Sequence, residues 1–202
     1  FIAFSYLQGI AFTDAILLDL SGTQTAATQA AADLLWAKAD NGGAGYTKAA
    51  GLTVGLNFRH CLAKLTMKCK ADDSVGAFDP ADVTVCIKNA KYQAFTDIST
   101  GNTGVSLNTP PTGEIIPRTW DTPAAGCFAT YDALVPPAAY ASGEMSVEFH
   151  IGADTYTWSV DAVTFGSGKE HIYEVLLTRT GVRVTGTIED WTTVQGGNVT
   201  AE

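Results

Sequence analysis

LTVGLNFRHCLAKLTMKC, residues 52–69, alternates like a half-buried strand and then changes step. Leu52, Val54, Leu56, Phe58, His60 and Leu62 share one parity, whereas Leu65, Met67 and Cys69 share the other. Side chains on a strand point to opposite faces with period two, so a slip of one residue turns the apolar face outward. A strand that leaves one sheet and enters another must re-aim its side chains, through a bulge or a single helical turn. The parity breaks at RHCLAK, so an irregularity is expected between Arg59 and Lys64.

The rest of the chain has the same β character. Strand-like runs with Gly, Pro, Asn, Asp and Ser between them follow Gly51: AKLTMKCKA, DVTVCIKNA, GVSLNT, GEIIPR, CFATYDALV, EMSVEFHIG, DTYTWSV, EHIYEVLLTR and GVRVTGTIEDW. MSVEFHIGADTYTWSV reads as a hairpin around Gly152-Ala153-Asp154, and HIYEVLLTRTGVRVTGTIEDW as a second turning near Thr180-Gly181. Many short strands with close turn signals predict an all-β, antiparallel sandwich or barrel. No amphipathic helix of ten residues separates the strands, which argues against a doubly wound α/β fold. Before Gly51, FIAFSYLQGIAFTDAILLDL reads as two β-prone runs, SGTQTAATQAAAD as a loop or weak helix, and NGGAGYTKAAG as the best linker.

The 202 residues suffice for one large domain or one domain with part of another. Hydrophobic residues make up 46% and charged residues 16%, the composition of an ordered protein. The formal charge is −9 with no basic cluster, which argues against nucleic acid and anionic membranes as partners. No apolar run is long enough to span a bilayer. The chain begins in strand-like sequence without Met or a signal-type leader, so it is expected to be a mature or trimmed piece.

Catalytic and metal motifs are weak. His60, His150 and His171 lack partners at metal-ligand spacing, and HExxH and GxSxG are absent. GSGKE, residues 166–170, lacks the upstream glycine and the Ser/Thr of a phosphate loop and reads as a hairpin turn. Asp72-Asp73 and Glu189-Asp190 would point to opposite faces on strands. No enzyme activity, metal or cofactor is expected. The sequence leaves open a Cys69–Cys86 bridge, other pairings with Cys61 and Cys127, and four small buried thiols, the last fitting the burial habit of cysteine. Trp120, Trp158 and Trp191 fit core packing better than a sugar platform.

The order of several stretches carries a family resemblance. DLLWAKA (33–39), LNFRHCLAKLTMKC (56–69), VTVCIKNA (83–90), GEIIPR (113–118), TFGSGKEHIYEVLLTRTGVRV (164–184), TIEDW (187–191) and the closing GGNVTAE follow one another. The most specific are FRHCLAKLT, the F-x-x-G-K-x-x-x-Y-x-V-x-L segment from Phe165 to Leu177, and I-x-D-W. Together they resemble the fimbrillin-like pilins of Bacteroides and its relatives, the type V pilus family. The resemblance implies two transthyretin-like β-sandwich domains, export as an outer-membrane lipoprotein, and a place on the cell surface. It implies a trypsin-like protease that removes an N-terminal strand, and a C-terminal strand from another subunit that fills the groove. On this chain, residues 1–50 would be the end of an N-terminal domain with its linker, and 51–202 the C-terminal domain. The donated strand would lie within 181–202, with Val182, Val184, Ile188, Trp191 and Val194 as its groove-filling side chains. The partners would be other pilin subunits, with host glycans or matrix proteins beyond them. A rival reading is a non-polymerising adhesin or carbohydrate-binding module using Tyr131, Tyr140, Tyr156 or Trp158.

Overall fold

The structure is a computed structural model, and it describes residues 2–5, 15–39, 46, 53–105, 109–191 and 199–200. The chain opens with β1 (Ile2–Ser5), β2 (Ala15–Asp19) and β3 (Gly22–Thr23), then α1 (Ala26–Ala32), then β4 (Leu35–Lys38), β5 (Thr53–Val54) and β6 (Arg59–His60). The middle holds β7 (Ala63–Ala71), β8 (Thr84–Lys91), β9 (Gln93–Asp97), β10 (Asn102–Val105), β11 (Thr112–Ile116), β12 (Arg118–Thr119) and β13 (Ala129–Val135). It closes with β14 (Ala138–Tyr140), β15 (Ser146–Ile151), β16 (Asp154–Ser159), β17 (Val163–Phe165), β18 (Lys169–Thr178), β19 (Gly181–Asp190) and β20 (Val199–Thr200).

Two five-stranded sheets dominate, ordered β16-β15-β8-β11-β3 and β12-β13-β7-β18-β19. They share one apolar core. Leu65, Met67, Val175 and Leu177 from one sheet pack with Ile87, Ile115, Val147 and Phe149 from the other, and all are essentially inaccessible. Most pairings are antiparallel, as expected, but β18 runs parallel to β7 and β3 parallel to β11. β7 and β18 are separated in sequence by strands of the opposite sheet, so no tight hairpin forces them antiparallel.

The opening stretch behaves as its parity requires. β6 belongs to a three-stranded sheet, β1-β4-β6, while β7 belongs to the second five-stranded sheet. Between them the chain bends at Cys61 and Leu62, without a helical turn. His60, Cys61, Leu62 and Ala63 are all buried in succession, which no straight strand on a half-exposed sheet could achieve. Cys61 and Leu62 enter a second cluster with Ile16, Leu18, Leu20, Leu34 and Trp36. The segments on either side of Gly51 therefore share apolar contacts.

Both expected hairpins are present. β15 and β16 meet at Ile151↔Asp154 across a two-residue loop, with Gly152 at φ 60. β18 and β19 meet at Thr178↔Gly181. GSGKE is a turn but not a hairpin, because β17 pairs with β14 rather than β18. Alanine-rich α1 is the weak helix. A capping box starts it, with Thr28 N–H donating to Thr25 Oγ1 and Thr25 N–H donating to Thr28 Oγ1.

Candidate functional site

Among the described residues, the feature that stands out is the outer edge of the second sheet, where β19 has no further strand beside it. β19 is its last strand and pairs with β18 through ten residue pairs. Val182, Val184, Gly186 and Ile188 share the core-facing parity, opposite Leu177, Val175, Tyr173 and His171. Val182 and Val184 are half-buried against the main core. Ile188 shares their face but is 61% exposed. β19 approaches β16 of the first sheet here, and beside them lies a groove of about 270 Å³, lined by Trp158, Val160, Tyr173, Val184 and Ile188 among others. Tyr173 lies over Gly186, where a Cβ would stand only 2.6 Å from its ring. Glycine leaves room for the aromatic ring, which packs over the bare backbone in return. Tyr173 also leans on Trp158, with ring centroids 4.8 Å apart.

An exposed sheet edge offers a row of backbone donors and acceptors to another strand. Here that row comes with a groove of mixed lining, Trp158, Val160 and Val184 beside Asp161 and Thr187, and an exposed isoleucine on its wall. Trp191, the next sequence-predicted residue, is half-buried and stacks on His60. Val194 lies outside the described residues. Further on, β20 pairs with β5 through Val199↔Val54 and Thr200↔Thr53.

Behind the same sheet lies a polar cluster that the sequence did not announce. Asp132 is fully buried on β13. Its carboxylate accepts two hydrogen bonds from Arg118, at 2.8 and 2.6 Å, and one from Gln29 of α1 at 3.1 Å. Lys64 Nζ stands 3.7 Å from Asp132 and 3.3 Å from Glu170, which accepts from Thr66 Oγ1. Hydrogen bonding to Asp132 is the main cause that pushes the Arg118 pKa up. Gln24 completes the wall. Its amide donates to Leu134 O at 2.9 Å while its carbonyl accepts from Leu134 N–H at 2.8 Å, as a neighbouring strand would. The cluster is saturated with internal partners, so it reads as a structural joint between α1 and the sheet rather than a site awaiting a ligand.

The other candidates stay structural. His150 contacts Thr155 Oγ1 and the carboxylate of Glu148. His171 is wholly buried beside Phe165, with neither ring nitrogen hydrogen-bonded. Burial pushes its pKa down. All four cysteines are free, so Cys69 and Cys86 form no bridge. They lie on different sheets, and burial pushes the thiols of Cys61, Cys69 and Cys86 up, which makes them poor nucleophiles. Tyr131, Tyr140 and Trp158, offered above as a sugar platform, are buried in the core, and Tyr156 is half-exposed. Alternation could not separate the inner face of a sheet from an outer aromatic face. Among the described residues, no group of three or more His, Cys, Asp or Glu could hold a metal, and no helix is long and apolar enough to cross a membrane.

Comparison with known proteins places this architecture. The fimbrillin-like family profile matches residues 1–191. Over 155 residues the chain is 31% identical to a proposed fimbrium subunit, Fim1C, of Bacteroides uniformis, covering 73% of this chain and 48% of that protein. The chain thus spans about half the length of that relative. A crystal structure of a proposed cell adhesion protein from Bacteroides uniformis superposes with a TM-score of 0.68 at 25% identity, covering 95% of this chain and 72% of that one. A proposed cell adhesion protein from Bacteroides ovatus shares the fold with a TM-score of 0.73 at 22% identity, over 95% of this chain and 67% of that one. The chain belongs to the fimbrillin-like family.

Proposed function

We propose that this chain is part of a structural subunit of a cell-surface fimbrium and that it assembles by protease-triggered strand exchange. Its role is adhesion through assembly rather than catalysis, and its partners are other pilin subunits. In this reading the two five-stranded sheets are a transthyretin-like sandwich within a C-terminal domain over 51–202. Residues 1–50 are then the end of an N-terminal domain. The precursor is a lipoprotein anchored at the outer membrane, and β19 with the residues after it is the donated segment.

One observation carries the reading. Among the described strands, β19 is an edge strand whose Ile188 shares the core-facing parity yet is exposed beside a groove walled by Trp158, Val160 and Val184. A strand added at such an edge gains main-chain hydrogen bonds along its length and seats alternate side chains in the groove. Val182, Val184 and Ile188 lie on one face of β19 and have the spacing to do this in a second copy. Family membership and the fimbrium-subunit relative give the same direction.

The test uses the full-length precursor. It is treated with a trypsin-like protease and followed on unboiled SDS gels and by negative-stain electron microscopy, beside a version ending at Thr180. The expected result is a ladder and filaments that vanish on truncation. A precursor that is cleaved, stays folded and never oligomerises would overturn the proposal.

A further inference from the structure

Past Val184 the side chains of β19 lose their hold on the molecule. Residues 185–190 are all exposed, and the ion pair of Asp190 with Lys169 lies in solvent, where such pairs contribute little. The next residue, Trp191, is anchored on three sides. Its ring stacks on His60 with centroids 3.7 Å apart and planes 7° from parallel. Its backbone N–H donates to Gly168 O at 2.9 Å. Lys64 Nζ stands 6.0 Å from its ring centroid.

Its seat is itself braced. His60 Nδ1 lies 2.8 Å from Asp33 Oδ1, just after α1. Gly168 N–H donates to Leu62 O, and Ser167 Oγ donates to Cys61 O, each at 2.9 Å. Gly168 has φ 69, and a Cβ there would meet His60 O at 3.2 Å, so glycine is what lets the turn close onto the bend. Four separated stretches are thus linked around Trp191 through direct and relayed contacts: the end of α1, β6 with its bend, the turn before β18, and the residue after β19.

We propose that the Trp191–His60–Asp33 stack is a latch that keeps the outer half of β19 in its own sheet, and that its opening sets how readily the strand passes to a second copy of this chain. The inference rests on the reading of β19 as the donated strand. Six exposed residues followed by one docked tryptophan make a strand half that frays from β18 once that ring lifts, even with β20 still paired to β5. Local opening free energy in such a unit is set by its few buried contacts.

Amide hydrogen exchange of the full-length protein, read by mass spectrometry, tests the latch before any assembly. Trp191→Ala is expected to speed exchange over 185–190 roughly two- to tenfold, the size of an aromatic stack, and to leave β15–β16 unchanged. His60→Ala is expected to do the same, and the double variant to add little to either. Trp191→Phe, which keeps an aromatic ring, is expected to fall between. Unchanged exchange in both single variants, or fully additive effects, would overturn the latch. After protease treatment, the faster-exchanging variants are expected to assemble sooner. Filaments with unaltered exchange would remove the latch and leave the fimbrial reading. Faster exchange with no filaments from any variant, wild type included, would remove the fimbrial reading and leave only a monomer latch.

Discussion

β13 and β19 lie in the same sheet and differ in almost everything else. Every residue of β13, Ala129–Val135, is buried. Its inner face packs Tyr131, Ala133 and Val135 into the main core. Its outer face, which would be wet in a two-sided sheet, is roofed by α1, Gln24 and Arg118, so Asp132 is sealed with its partners. β19 has one sheet neighbour among the described strands and no roof. The difference shows where the stability of this sheet resides. It is concentrated on the side near α1 and thins toward β19.

The largest expected effect is on the roofed side. Asp132→Ala leaves half-buried Arg118 and Gln29 without their carboxylate, while Lys64 keeps Glu170, and should cost about 3 kcal/mol, measured by urea denaturation. A loss below about 1 kcal/mol would mean that β13 is no better anchored than a surface strand. Next is Gln24→Ala, which leaves the N–H and C=O of Leu134 without their side-chain partner. It should cost about 1–3 kcal/mol in the same assay.

His171 sits midway, on β18 between the two regions. It is buried, and neither of its nitrogens has a partner. His171→Leu should raise stability by about 1 kcal/mol at neutral pH. The sign of the pH effect follows from burial, which lowers the folded pKa. The unfolded chain takes up a proton as pH falls through about 6.5, while the folded chain resists it. Stability from this group is therefore full above that pH and is lost below it, down to the folded pKa. Melting curves between pH 7 and 5 should fall more steeply for wild type than for His171→Leu. The smallest stability effect belongs to Ile188→Asp, within about 0.5 kcal/mol for an exposed site. The same change should abolish assembly, because a carboxylate would enter the groove of the receiving subunit.

Much of the fold was legible locally. β7 follows AKLTMKCKA residue for residue, and the two hairpins follow their turn residues. The parity break located the passage between sheets because period two tolerates no slip. β9 was missed because its pattern is inverted: Ala94 and Thr96 face inward while Phe95 is 41% exposed. The parallel pairing of β7 with β18 has no local signal, since Leu65 meets His171 across the opposite sheet's strands. The burial of Asp132 was also hidden. Tyr131-Asp132-Ala133 reads as ordinary alternation, and only the docking of α1 turns its outer face into an interior. Of the residues proposed for assembly, Val182, Val184 and Ile188 lie on one face of β19, as their spacing implied. The bracing of Trp191 by His60, 131 positions away, depends on tertiary convergence that no spacing rule encodes.

The most direct measurement locks β19 to its own hairpin. Glu174 and Thr185 face each other on the exposed side of β18 and β19. Cysteines at both positions lie at the Cα separation a disulfide needs. In full-length protein carrying Glu174→Cys, Thr185→Cys and Cys127→Ser, the last removing the most accessible native thiol, the lock can be closed by oxidation and opened by reductant. After protease treatment, the oxidised protein should stay monomeric on unboiled gels, and the same sample should form a ladder and filaments once reduced. Filaments that form equally well with the lock closed would contradict the account, because β19 would then never have left its own sheet.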